Sequence, residues 1–304
     1  MPPVQVVRSF VARYRNVGLV AAAVAAGLLA PGLGSLLSPL VTPLVIFLVY
    51  SSLRGLHLEE LDVASYALLV ALSLGISYGL VPAVGIQLVG AFLADGALVG
   101  FAIALSVPTT AGSAIIWTRF SRGDVQLATT ISIVSLLVAP VATPVVLTAL
   151  VGAEATVPVT SILVDLLVII VGGGLLAAVV PASAVSTRTV DVGATLAILL
   201  LIYTSVAGAE PAGLGVSTLV TIVGVSVLLV GFGLAVALLC ERGFGFERLQ
   251  TLPLFFTSSL KNLGIALLIA FAYADSLVVI AIITYYVTQQ VAGALLADVV
   301  RNGP

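Results

Sequence analysis

The chain has one cysteine, one histidine, one tryptophan and one lysine, and only 8% of its residues are charged. A single cysteine, Cys240, excludes an intrachain disulfide and a cysteine-built zinc site. The lone histidine, His57, stands beside Glu59, Glu60 and Asp62 and reads as a solvated loop residue. A soluble domain carries about 25% charged residues, three times the share found here. A net charge of −2 gives no basis for nucleic-acid binding. No Ser- or Pro-rich linker divides the chain, so residues 1–304 are read as one unit.

What the chain has in excess is apolar residues: 61% are hydrophobic and the mean hydropathy is +1.30. A bilayer-spanning helix needs about 20 mostly apolar residues. Apolar runs between charged or Pro/Gly breaks predict ten spans, at 16–32, 35–56, 62–82, 95–120, 124–151, 157–181, 190–208, 213–240, 247–273 and 275–299. With that count, Arg8, Arg13, Arg15, Arg54, Arg119, Arg122, Arg188, Arg242, Arg248 and Arg301 all fall on one side. The opposite loops hold only Asp95, Glu154, Glu210 and Asp275. The positive-inside rule then predicts a multi-pass protein of the plasma membrane with both termini cytoplasmic. The basic lead and alanine-rich run of the first span also have the form of a signal peptide. That run continues through a Pro-Gly break into a second span, which favours an uncleaved helix.

Ten spans divide into five and five, about 16–151 and 157–299. An odd number per half requires the second half to enter the membrane inverted, the architecture of many secondary transporters. The fourth span, "GALVGFAIALSVPTTAGSAIIWTRF", and the ninth, "RLQTLPLFFTSSLKNLGIALLIAFAY", occupy corresponding places. Each is apolar at both ends and polar in its middle, at 108–113 and 257–264. Proline removes a backbone donor, and Ser, Thr and Gly tolerate unwinding. Unwound backbone at mid-membrane survives only in a protein interior or along a cavity. The sequence therefore predicts two discontinuous helices that cross, with a site built from Thr109, Thr110, Ser113, Thr257, Ser258, Ser259, Lys261 and Asn262. The alternative is a pair of simple kinks.

Lys261 is the centre of that prediction. About 13 residues from either end of its span, it is about 20 Å from each interface. A lysine stem of about 6 Å cannot snorkel that far. Facing lipid, its charge would cost at least about 2.5–3.5 kcal/mol. Lys261 must face a polar cavity, a partner or both, as a proton carrier or as a structural tie for broken-helix carbonyls. Asp165 is the other charge within a span, read either as near-surface or as a relay partner. Gly172-Gly173-Gly174 reads as a site of close helix contact or of flexing.

These segments resemble the bile acid:sodium symporter (BASS) family. "PTTAGSAIIWTRFSRGDVQLATTISIVSLLVAPVATPVVL" (108–147) is similar to its fourth and fifth helices, with an "RGN"-like turn and a P-x-x-T-P ending. "LVIFLVYSSLRGLHLEEL" is similar to its second helix and loop, and "LKNLGIALLIAF" to its ninth. The resemblance implies a ten-helix fold, with a core domain holding the crossed helices and a panel domain that moves against it. It also implies organic anions taken up with sodium. Sodium-coupled members bind two ions at the crossing, and there this chain departs. Ser113 and Ser132 match hydroxyl ligands, but Ala114 stands where an Asn is expected. Ser77 takes the place of a Gln in the third helix. Thr257 replaces the ninth-helix Glu and Lys261 its Gln. A divergent branch of the superfamily has a P-T-T-x-x-S string and a crossover lysine.

The reading is therefore a carrier of a small organic anion, in which Lys261 reduces or replaces sodium coupling or links transport to protons. One weak sodium at Ser113, Ser132 and Thr257 is all the remaining ligands would hold, and no organic cofactor is implied. An auxin-efflux-like carrier or a channel is the alternative. A membrane enzyme is disfavoured because no Asp-rich motif or Ser/His set is present. A retinal protein would account for one membrane lysine, but it requires an aromatic pocket that a single tryptophan does not supply.

Overall fold

A computed structural model of the chain describes residues 18–54, 63–151, 158–208, 215–273 and 275–302. Arg8, Arg13 and Arg15, His57 with its neighbouring acids, and the loop acids Glu154 and Glu210 lie outside the described residues, as does the side chain of Arg301.

The described residues are helical, and the only extended pairing among them is one antiparallel bridge between Thr109 and Lys261. In chain order the helices are α1 (18–29), α2 (Pro31–Leu53, opening through short 3-10 turns) and α3 (Ala67–Gly90). Next come α4 (Asp95–Ser106), α5 (Ala111–Phe120), α6 (Val125–Val151), α7 (Val159–Val179) and α8 (Thr187–Ala207). The last are α9 (Val216–Phe244), α10 (Arg248–Ser259), α11 (Leu263–Ala270) and α12 (Ser276–Asn302). Seven of these, α2, α3, α6, α7, α8, α9 and α12, are long and apolar enough to cross a membrane. The helices α1 and α4 are apolar but shorter.

The third span differs from its predicted bounds of 62–82 by running on to Gly90. Pro82 looks like a terminator in sequence. It is accommodated because residues Ile76–Leu80 form a π turn and Pro82 falls in the first turn of the helical segment that follows. In that turn the Val81 N–H reaches back five residues to the Ile76 carbonyl. The next donor in that register would be residue 82, a proline without an N–H. The Ser77 carbonyl is thereby left without a helical partner.

Burial separates an interior from a lipid-facing shell. Phe101, Leu105, Val107, Phe255, Phe256 and Leu260, around the two breaks, are inaccessible or nearly so. On α7, by contrast, Val164, Leu167, Val168, Val171 and Leu175 are exposed, as expected of a helix facing acyl chains. The α7 helix packs against α2 through Gly173, where a Cβ would come within 2.5 Å of Val49, while Gly174 faces open space. Close helix contact is therefore the role of the glycine run at Gly173. Asp165 is exposed on the outer face of α7.

Contacts between turns tie the helix ends together. Arg54 donates to the carbonyls of Ala182 and Val185, which ties the α2 end to the α7–α8 turn. The Asp124 N–H bonds Leu249 O at 2.8 Å, which brings the α5–α6 turn to the start of α10. Gly96, beside Asp95, lies against the carboxylate of Asp275. Loops expected on one side thus meet one another.

Candidate functional site at the helix crossing

Two helical pairs are interrupted: α4 and α5 by residues 107–110, α10 and α11 by residues 260–262. The breaks are narrower than the polar patches at 108–113 and 257–264, because Ser113 and Thr257 to Ser259 are already helical. Val107 has φ −76° and ψ 159°, the extended backbone that a following proline enforces. The two breaks run antiparallel and bond reciprocally. Thr110 N–H donates to Leu260 O at 3.1 Å, and Asn262 N–H donates to Pro108 O at 2.9 Å. A local twofold therefore passes between Thr109 and Lys261.

Buried backbone donors need partners, and every N–H in the two breaks has one. Val107 N–H bonds Ile103 O, Thr109 N–H bonds Ser135 Oγ at 3.1 Å, and Leu260 N–H bonds Phe256 O. Lys261 N–H bonds Gln289 Oε1 at 3.1 Å.

The Lys261 ammonium is buried, with 3% of its residue surface exposed. Its Nζ donates to Ser77 O at 2.7 Å, Ser77 Oγ at 2.8 Å and Val107 O at 3.3 Å. The first is the carbonyl orphaned by the π turn and Pro82, and the last is an orphan of the α4 end. The ammonium also lies 5.3 Å from the Tyr78 ring centroid, within cation–π range. Among the described residues no carboxylate bonds it. All three of its hydrogen bonds end on neutral oxygens.

The other predicted residues divide into those at the crossing and those outside it. Thr109 Oγ1 donates to Thr257 O, and Thr257 Oγ1 bonds Pro253 O at 2.7 Å and Ser73 Oγ at 3.0 Å. Asn262 Oδ1 caps α11 by accepting from Ile265 N–H at 3.1 Å. Thr110 joins through its backbone alone and provides no side-chain cap to α5. Ser258 bonds back to Leu254 O, and the buried Ser259 hydroxyl has no partner. Ser132 bonds Ala128 O at 2.7 Å, and Ser113 accepts from Gln290 Nε2 at 2.9 Å. No hydrogen bond joins Ser113, Ser132 and Thr257 to one another; Ser132 and Thr257 each donate to a carbonyl of their own helix. Among the described residues no cluster of His, Cys, Asp and Glu could hold a metal. Asp165 is not brought to the crossing.

Sequence reasoning missed Ser73, Tyr78, Ser135, Gln289 and Gln290. The two glutamines had a visible signal: "YYVTQQVAG" places paired amides in the middle of the last span.

No curated protein matches the chain. A model of the SBF-like CPA transporter family matches residues 17–302, nearly the whole sequence. That extent agrees with the resemblance to bile acid:sodium symporters carried by the two interrupted segments. The chain belongs to the SBF-like CPA transporter family.

Proposed function

We propose that this protein is a secondary active transporter of a small organic anion, working by alternating access, in which the Lys261 ammonium stands where a sodium-coupled relative binds a cation. The observation that carries the reading is the lodging of that ammonium. It sits at the crossing, coordinated by two carbonyls and a hydroxyl, and among the described residues no carboxylate is there to balance a second positive charge. Two cations a few Å apart repel by several kcal/mol at an effective dielectric of about 20. Ammonium and sodium therefore exclude one another here. In this reading the α4–α5 and α10–α11 pairs each form one interrupted crossing, α1 completes a set of ten, and the halves form an inverted five-plus-five repeat. Both termini are cytoplasmic, in the plasma membrane.

Bonding to neutral oxygens alone also favours a proton-linked variant, in which Lys261 gives up its proton during part of the cycle. Uptake would then respond to a pH gradient in the wild type and not in Lys261→Gln.

The test is a thermal-shift screen of organic anions on the purified protein, followed by proteoliposome uptake of the anions that stabilise it. Uptake is measured in sodium and in choline. Equal uptake in the two salts is expected. Uptake that requires sodium, or the absence of any transported anion, would overturn the reading.

A further inference from the structure

The twofold between the breaks pairs Gly112 with Gly264, each two residues beyond the residue that restarts its helix, Thr110 or Asn262. Both glycines are helical, and neither has a positive φ. Their surroundings differ. A Cβ at Gly264 would come 3.0 Å from Leu48 of α2 and 3.9 Å from Leu201 of α8. A Cβ at Gly112 would meet nothing within 4 Å. Gly264 is buried, and Gly112 is exposed.

The difference continues along the two helices. The α11 helix packs on α2 and α8, and its Ile265 and Leu267 are inaccessible. The α5 helix has no comparable packing on either. It stands instead across a cavity of about 340 Å³ from α8, lined by Ile116 and Phe120 on its own side and by Thr195 and Ile198 on the other. That cavity follows α5 toward Arg119 and Arg122, the end read above as cytoplasmic.

Glycine weakens a helix relative to alanine because it gives up more backbone freedom on folding. At Gly264 the close approach of Leu48 accounts for that residue. At Gly112 neither the backbone nor a neighbour does so. Its small size is needed in another arrangement, one in which α5 closes on α2 and α8 as α11 does here. Ser205 agrees with this. It lies one turn beyond Leu201 on α8, on the same face, and it is buried with an unpartnered hydroxyl. Withdrawal of α11 from α8 would bring water to that hydroxyl.

We infer that Gly112 and Gly264 are the two gate residues of this carrier, closed in turn. In this structure Gly264 is sealed by Leu48 and Leu201, and the gate at Gly112 is open. When α11 withdraws, Gly112 forms the seal. The inference rests on the alternating-access reading above and adds the residues that close each side. A side chain at either position holds its own gate open. Gly264→Leu pushes α11 away from α2, whereas Gly112→Leu fits the present arrangement and blocks the other.

The test is cysteine labelling of the full chain with a membrane-impermeant maleimide, in vesicles of either orientation and in a Cys240→Ser background. Thr195→Cys reports on the cavity, and the nearly isosteric Ser205→Cys reports on the seal. Thr195→Cys should react from the side that carries Arg119 and Arg122, and Ser205→Cys slowly and from the other side. Gly264→Leu should lower the first rate at least about tenfold and raise the second by a like factor, as a population shift between two states requires. Leu48→Ala weakens the same seal more gently, in case Gly264→Leu does not fold. It should raise the Ser205→Cys rate at least about threefold. Gly112→Leu alone should leave the Thr195→Cys rate within about twofold of wild type. Added to Leu48→Ala, it should cancel the rise at Ser205→Cys. A Ser205→Cys rate unmoved by Gly264→Leu and Leu48→Ala would overturn the inference. So would a rise that Gly112→Leu does not cancel, or a Thr195→Cys rate that Gly112→Leu lowers as far as Gly264→Leu does. Labelling needs no substrate, so the gates can fail while sodium-independent uptake stands, and the reverse.

Discussion

The two breaks at the crossing share a backbone and differ in chemistry. The residues that restart the helices, Thr110 and Asn262, have almost the same conformation, with φ, ψ of −81°, 104° and −79°, 103°. Yet Asn262 caps α11 with its side chain, whereas Thr110 leaves α5 uncapped. The second break carries a charge that reaches across to α3 and to the end of α4. The first break carries a hydroxyl that reaches across to Thr257. The difference assigns separate duties within one symmetric scaffold. The α10–α11 break locks the crossing by satisfying orphaned carbonyls. The α4–α5 break leaves the first turn of a helix without a side-chain cap, and Ser113 in that turn bonds Gln290 of α12.

That division can be broken most severely at Lys261. Lys261→Met removes the donor from Ser77 O, Ser77 Oγ and Val107 O, and each buried acceptor left unmatched costs about 1–3 kcal/mol. Proteoliposome uptake should fall to background, with a large drop in the thermal unfolding midpoint. Uptake at wild-type levels would show that the charge is not part of the mechanism. Thr109→Val keeps the side-chain shape and orphans only Thr257 O, so a loss of about 1–3 kcal/mol is expected. Thermal unfolding should rank it clearly below the lysine substitution in severity. The smallest effects sharpen the comparison between the two caps. Asn262→Ala should cost about 0.5–2 kcal/mol, the usual penalty for a lost N-cap. Thr110→Ala should change stability by no more than about 0.5 kcal/mol, because that side chain caps nothing. Equal penalties in unfolding experiments would mean that the two halves are alike after all.

Much of this was legible because interruption leaves marks in composition. Pro108 and the Ser/Thr run at 257–259 interrupt long apolar stretches, and a lysine too deep to snorkel demands an interior partner. Ser77 was reached by alignment with a symporter family, and it proved to be the residue that holds the ammonium. Its reason was not legible. A π turn depends on which carbonyl each N–H selects, and Pro82 looks the same in sequence whether it ends a helix or frees a carbonyl within one. The bonds between α5 and α12 were hidden for a related cause. Ser113 and Gln290 are 177 positions apart along the chain, and only the packing of α5 on α12 brings them and Trp117 together. Asp165 left two readings open in the sequence, near-surface or relay partner, and it faces outward from α7, away from the crossing.

The central claim is that the Lys261 ammonium already fills the cation's place. It can be tested without knowing the substrate, by measuring the thermal unfolding midpoint of the purified protein against sodium, with choline holding ionic strength constant. A ligand that binds only the folded state stabilises it by about 2.7 kcal/mol at a hundred times its dissociation constant, an effect a midpoint would readily show. The account predicts a wild-type midpoint indifferent to exchanging choline for sodium. A saturable, sodium-specific rise with a Hill coefficient near two would contradict it.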